Sequence, residues 1–347
     1  MYNNITMRNF DITKKNRNDA IALLEHYEYG KMPPRPLHLN VETVSEDRGY
    51  AAGKATLTEV NLKLVLDGGR EFILPVRYAI PNGISRPPVI LHISHDGNMP
   101  NAHQPTEELC DRGFAVFTLA YECVTKDNGN FRSLAAHHFS DGRRKLDSPG
   151  KLIMWAWGAI SVMDYIKSIG DRVDADCVAV VGHGILGTSA LLAGAFDERF
   201  GFVISSSSGF GGAASVSAHT APLLELKSRA PYLFCKRYIK YSGRESALPF
   251  DQSLLLSLVA PRSLLISTAD DAYTDAHLLE ELSVRETNSL VNQRKSGKIG
   301  ASSATPCEIC EDNHPWEAAF RCREGYPYLS REDWAYFTDY ISTRRQK

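Results

Sequence analysis

Apolar and polar positions along this chain fall into blocks that predict strands and helices in alternation. Four consecutive apolar residues, Val178 to Val181, read as a buried parallel strand. After the turn Gly182-His183-Gly184, an amphipathic run from Leu186 to Phe196 reads as a helix, and Gly187, Ala190 and Gly194 keep one of its faces small enough to pack closely on a sheet. Lys54 to Leu66 and Arg70 to Ile80 alternate like two antiparallel strands joined by the hairpin turn Asp67-Gly68-Gly69. Pro88 to Ile93, Phe114 to Tyr121, Phe202 to Ser206 and Ser263 to Thr268 read as further strands. Helical patterns cover Asp19 to Tyr29, Glu107 to Asp111, Leu152 to Ile169, Ala276 to Arg285 and Ser330 to Arg345, the last with Ser330 as N-cap and Asp333 three residues on. Between them, Met32 to Pro36 is an extended arm, and Glu122 to Gly150 has no clear period and is expected over the top of the sheet.

Alternating strands and helices predict an α/β fold in which helices cover both faces of a mostly parallel central sheet, opened by the N-terminal antiparallel hairpin. No internal repeat and no linker divides the chain, so residues 1–347 are read as one domain. Within it we expect an N-terminal arm and helix over residues 1–50, a helical excursion over 221–259 and a mobile insertion over 287–325, where Ser289 to Pro306 is rich in Ser, Gly and Lys.

Composition narrows the function. A chain of 347 residues with 43% hydrophobic and 23% charged residues has the make-up of a globular protein with a large core. Its net charge of -2 gives no electrostatic case for binding nucleic acid or an anionic membrane. No stretch of 18 or more residues is continuously apolar, and the first twenty lack an apolar signal core. The seven dispersed cysteines are an odd number, which suits a reducing compartment; the expectation is a cytoplasmic protein.

Several side-chain groups have the residue types of functional sites. His92, His95 and His103 lie at or after one strand end, where a histidine base could be assembled with Asp96, although turn and capping roles compete. Cys307-x-x-Cys310 with His314 and Cys322 has the ligand types of a structural zinc site, against the alternative of unrelated thiols in a polar insertion; no other cofactor is expected. Tyr232, Phe234, Tyr238 and Tyr241 could line a sugar-stacking cleft or belong to the core. Asn4-Ile5-Thr6 matches the glycosylation acceptor pattern.

The strand, tight turn and helix at Val178–Phe200 have the layout of the nucleophile elbow of α/β-hydrolases, G-x-S-x-G, with Gly184 in the serine position. Together with Trp155-Ala156-Trp157-Gly158, Ser208 to Ala214, Leu248 to Gln252, Ala260-Pro261-Arg262 and Asp333-Trp334, the elbow makes the chain resemble carbohydrate esterase family 15, the glucuronoyl esterases, and related acetyl-xylan-esterase-like hydrolases. The likeness runs from about Leu23 to Tyr340. It implies an α/β-hydrolase fold and, in the family, cleavage of a glucuronic acid ester by a Ser-His-acid triad.

The same resemblance puts the family's functional positions on residues of other types. Gly184 stands for the nucleophile, Ile185 for the oxyanion arginine and Thr188 for a sugar-contacting lysine. The acid after the following strand falls at Ser207, the catalytic histidine at Pro327, and a sugar-facing tryptophan at Leu233. Asp270, Asp271 or Asp275 could hold the acid that other members place after the late strand. Nucleophile, base and oxyanion donor serve one transition state, so the resemblance implies a non-hydrolytic homologue. Such a protein would bind a uronic-acid-type carbohydrate, or a protein partner, with His92, His95, Asp96, His183, Ser207, Ser208, Tyr326 and Tyr328 as candidate contacts. The alternatives are serine-independent lyase or isomerase chemistry, or a weak esterase using a displaced serine, Ser189 or Ser207, with His314 as base.

Overall fold

A computed structural model of the chain describes residues 17–140, 144–216, 221–270, 275–295 and 316–345. Its described strands form one nine-stranded sheet in the order β1-β2-β3-β5-β4-β6-β7-β8-β9. β1 (His38–Asp47), β2 (Ala55–Val65) and β3 (Glu71–Pro81) run antiparallel, with Leu62 opposite Leu74 across the hairpin. β3 joins β5 (Ala115–Ala120) antiparallel, and β4 (Pro88–Ser94), β6 (Asp174–His183), β7 (Phe202–Ser206), β8 (Ser263–Asp270) and β9 (Ala319–Glu324) complete a parallel block. Every residue of β4 is buried, which is why it reads as an unbroken apolar run rather than an alternation.

Helices cover both faces, as expected. α1 (Arg17–Leu24) continues through a wider turn to Tyr29, and α2 (Thr106–Asp111), α3 (Tyr121–Val124) and α4 (Leu134–Phe139) follow the central strands. The larger core packs α5 (Lys151–Ser168) and α6 (Ile185–Phe196) on Val89, Leu91, Phe117, Val180 and Val203. The excursion, with α7 (Ala221–Arg229), α8 (Lys236–Ile239) and α9 (Ser253–Ser257), adds Phe234 and Tyr238, both fully buried. These two aromatics are core residues; Tyr232 and Tyr241 lie partly buried against the same core. On the opposite face, α2 and α11 (Arg331–Arg345) bury Leu109, Trp334, Phe337 and Ile341 against Ile90, Val116, Val181 and Ile204. Among the described residues no helix is long and apolar enough to cross a membrane.

Three expectations need correction. Residues 1–50 hold more than an arm and a helix, because 38–47 form β1, an edge strand exposed on both faces whose mixed residues show no buried side. The proposed insertion over 287–325 is ordered at both ends: α10 spans Ala276–Lys295 rather than stopping at Arg285, and β9 closes the sheet. β9 escaped notice because AFRCRE carries cations on an edge strand, where burial imposes no apolar alternation. Finally, the segment from Glu122 to Gly150 contains the short helices α3 and α4.

The small face of α6 performs the expected packing. A Cβ placed on Gly194 would lie 2.2 Å from Val203 Cγ2, so the helix sits on β7 closer than any other residue allows. Gly194→Ala should therefore destabilise by about 1–3 kcal/mol from overpacking, less the roughly 1 kcal/mol that alanine adds to helix propensity. Paired denaturant melts measure this, and an unchanged or raised midpoint would show that β7 yields without cost.

Candidate active site

β6 ends in His183, and the chain reverses into α6 through Gly184, which sits at φ 58° and ψ -132°. This is the left-handed side of backbone space, where a residue with a Cβ is strained. Gly184 N donates to Ser206 O of β7 at 2.9 Å, and Gly187 N donates back to Gly184 O at 2.8 Å. A Cβ on Gly184 would meet no heavy atom within 4 Å, so the elbow presents its central residue to open space.

Around that space stand several of the candidate contacts. His183 Nδ1 lies 3.1 Å from Ser206 Oγ, and the ring also bonds the Pro327 carbonyl. Burial, with His95 nearby, pulls the His183 pKa down to about 4 despite that acceptor. His92 is fully buried beneath; its Nδ1 meets Gln104 Oε1 at 2.6 Å, and burial pulls it down to about 3. Gln104 in turn donates to Thr118 and Thr106, so His92 is locked as a neutral support for the loop rather than a free base. His95 lies edge-on to Tyr121, and His103 packs edge-on to Tyr328 with centroids 5.4 Å apart. Asp96 caps its own loop by accepting from Asn98 N at 2.9 Å.

The far wall is the segment after β9. Asp333 accepts from Ser330 N at 2.9 Å and Ser330 Oγ at 2.8 Å, while Asp333 N donates to Ser330 Oγ at 3.2 Å, the reciprocal cap that the Ser330/Asp333 spacing predicts. Arg321 and Arg323 from β9 also converge on this carboxylate, and Arg323 reaches on to the Tyr328 carbonyl. Burial alone would raise the Asp333 pKa; the bonds from Ser330, Arg321 and Arg323 outweigh it and hold the group below the usual carboxylate range. Sequence reading missed the two arginines, although their placement ten and twelve residues before Asp333 fixes the loop that carries Pro327.

The family described as "Glucuronyl esterase, fungi" matches residues 64–287 of this chain. The chain belongs to the glucuronoyl esterase family. A glucuronoyl esterase from Solibacter usitatus is superimposable with a TM-score of 0.80 and 27% identity, over 96% of this chain and 92% of that one, which confirms the α/β-hydrolase fold. Carbohydrate esterase MZ0003, from an unknown prokaryotic organism, is 41% identical over 130 residues, 37% of this chain and 30% of that protein. The 4-O-methyl-glucuronoyl methylesterase of Hypocrea jecorina is 26% identical over 255 residues, 70% of this chain and 50% of that protein. The chain thus spans half or less of the length of these curated relatives.

In this glucuronoyl esterase scaffold the remaining predicted positions are distributed as follows. Ile185 begins α6 half-buried, and Thr188 is buried beneath the loop at Gly212. Ser207 occupies a left-handed conformation at φ 47°, its N–H donating to Ser267 O at 2.7 Å. Ser208 is buried, its hydroxyl 3.3 Å from Glu280, a fully buried carboxylate that also accepts from Gly209 N at 2.9 Å. Leu233 is buried, so the position of the sugar-facing tryptophan does not line an open cleft. Asp270 lies exposed, 3.5 Å from His277 Nε2, and Asp275 is exposed; Asp271 lies outside the described residues. Ser189 donates to Leu152 O in the buried contact between α5 and α6, so it is not available as a displaced nucleophile. Tyr326 and Tyr328 stand 68% and 48% exposed at the rim. Of the zinc candidates, Cys322 is exposed on β9, and Cys307, Cys310 and His314 lie outside the described residues.

Two neutral histidines, His92 buried and His183 half-buried, give this site a pH signature. His92 and His183 bind protons in the unfolded chain near the ordinary value of 6.5 but in the folded chain only near 3 and 4. The unfolded state therefore holds more protons as pH falls below 6.5, and stability declines by about 1.4 kcal/mol per pH unit for each. Denaturant melts at pH 7 and pH 5 should show this loss, reduced by about one proton's worth in His183→Gln. An identical pH slope in the variant would show that His183 is not held neutral.

Proposed function

We propose that this member of the glucuronoyl esterase family binds a uronic-acid-bearing carbohydrate in the cleft above Gly184 without hydrolysing it. The observation that carries the reading is the elbow itself: its left-handed turn is intact and faces open space, yet its central residue has no side chain. Acyl transfer needs an attacking atom there and a base within reach. The resemblance assigns the base to Pro327, whose carbonyl is bonded to His183. His183 is the histidine against the elbow, and burial keeps its basicity low.

The open space beside Gly184 supports a ligand over a purely structural scaffold. Exposed Tyr326 and Tyr328, with His103 beside Tyr328, offer a polar-aromatic rim of the kind on which sugars stack. The methylesterase of Hypocrea jecorina is named for 4-O-methyl-glucuronoyl esters, which supports the ligand class. Serine-independent chemistry would need an acid and a base converging in the cleft; His92 is locked by Gln104 and Asp96 by its own turn, so no observation favours it.

Gly184→Ser tests the reading on two axes. The variant should fold, because a Cβ there meets nothing within 4 Å, but lose roughly 1 kcal/mol through the left-handed conformation. Both the native chain and the variant should turn over benzyl glucuronate and aryl acetates no faster than buffer. Hydrolysis by the native chain, abolished by a single cleft substitution, would overturn the proposal; hydrolysis by the variant alone would reveal a working base in the cleft.

A further inference from the structure

A second concavity lies away from the elbow, with a volume of about 360 Å³. It is bounded by the arm after α1, the β2–β3 hairpin turn, α4 and the segment leading into α5, and no residue of the elbow lines it. Because β3 runs antiparallel to β5, this turn overhangs the same end of the sheet as the elbow.

Four cations line the pocket: Lys31, Arg35, Arg70 and Lys145. Two are already neutralised, Lys31 by Asp147 at 3.2 Å and Arg35 by Asp197 at 3.0 Å and Asp164 at 3.4 Å. Arg70 is different: among the described residues its Nε and Nη1 donate to the carbonyls of Asp67 and His138, each at 3.2 Å, and it meets no carboxylate. Those bonds orient the guanidinium without cancelling its charge. Lys145 has no carboxylate partner among the described residues. His138 completes the polar side, and among the described residues its Nδ1 has no hydrogen-bond partner. Burial and the neighbouring Arg70 lower its pKa, so the ring is neutral and suits a hydroxyl rather than a second charge.

The other walls are apolar and held in place. Phe139 packs edge-on against Trp157 with centroids 4.9 Å apart, and Trp157 Nε1 donates to Pro34 O at 2.9 Å. Lys31 N donates to Asp147 O at 3.0 Å, tying the arm to the opposite rim. Asp67 also lines the pocket, its carboxylate accepting from Gly68 N at 2.9 Å rather than bonding Arg70. A pocket with an apolar face, two cations that bond no carboxylate among the described residues and one neutral polar group fits a small ring that carries one carboxylate and several hydroxyls. We propose that this pocket is a second carbohydrate site, taking the carboxylate of a uronic-acid residue on Arg70 and Lys145 and its ring face on Phe139 and Pro33-Pro34. The proposal stands on these residues and does not depend on what the elbow cleft does.

Titration of the full chain, followed by calorimetry and by amide chemical shifts, tests it with sodium glucuronate, glucose and inorganic phosphate as separate probes. Glucuronate should shift amides around Arg70 and His138, and glucose, lacking the carboxylate, should bind at least roughly tenfold more weakly. Arg70→Gln with Lys145→Gln should weaken glucuronate by at least roughly tenfold, the worth of one hydrogen bond to a charged group. Lys145→Gln alone should weaken it severalfold, and this exposed side chain makes no described hydrogen bond that folding could lose. Tyr328→Ala, at the elbow rim, should leave this site's binding unchanged. Undiminished glucuronate-induced shifts at the amides around Arg70 and His138 in the folded double variant would overturn the proposal, as would loss of those shifts in Tyr328→Ala. Phosphate binding as tight as glucuronate on the same residues would overturn the saccharide assignment.

Discussion

A single left-handed residue at the junction of β6 and α6 sets the geometry on which the rest of this molecule depends. The parallel strand must reverse into a helix that packs back on the same sheet, and the turn that does so brings Gly184 to φ 58°. Backbone bonds to β7 and within the first turn of α6 hold it there, and the contact of Gly194 with Val203 fixes the helix behind it. In a hydrolase a serine at such a position is strained by about 1–3 kcal/mol, and that strain holds the hydroxyl exposed for chemistry. Glycine adopts the same backbone without the strain. The fold therefore does not need a side chain at this position to keep the elbow.

The opposite wall of the cleft rests on buried charge. Asp333 gathers Arg321, Arg323 and Ser330, and through Arg323 this cluster holds the Tyr328 carbonyl and the loop that leans on His183. Removing one of these partners weakens the satisfaction of a buried carboxylate and with it the support of the loop. The histidines under the elbow behave alike: His92 is held by Gln104, and His183 bridges Ser206 and Pro327. These are the bonds of a supported surface, above which Tyr326 and Tyr328 stand exposed.

Most of the central sheet was legible in the sequence because its strands are buried on both faces and read as apolar runs, as Val178–Val181 and Phe202–Ile204 do. The edges were not legible. β1 is exposed on both sides, and β9 trades apolar residues for the arginines that anchor Asp333, so neither carries a period that burial would impose. The Ser330/Asp333 cap was readable because it is local; the convergence of Arg321 and Arg323 on the same carboxylate was not, since it depends on β9 pairing with β8. At the site, the glycine of the elbow and the position of Ser207 at the end of β7 followed from the order of elements. The burial that withdraws His92, Thr188, Ser189 and Leu233 from the cleft could be seen only once both faces of the sheet were packed.

The central claim is that the cleft recognises a uronate ester and leaves it whole. Its most direct measurement is titration of the native chain with methyl glucuronate, observed by amide shifts at Tyr326, Tyr328 and His103, with the ester itself followed in the same tube by its methyl proton signal. Saturable shifts at these residues, with the ester signal decaying no faster than in buffer, are the predicted result. Release of methanol above the buffer rate, or an absence of saturable shifts in a folded sample, would contradict the account.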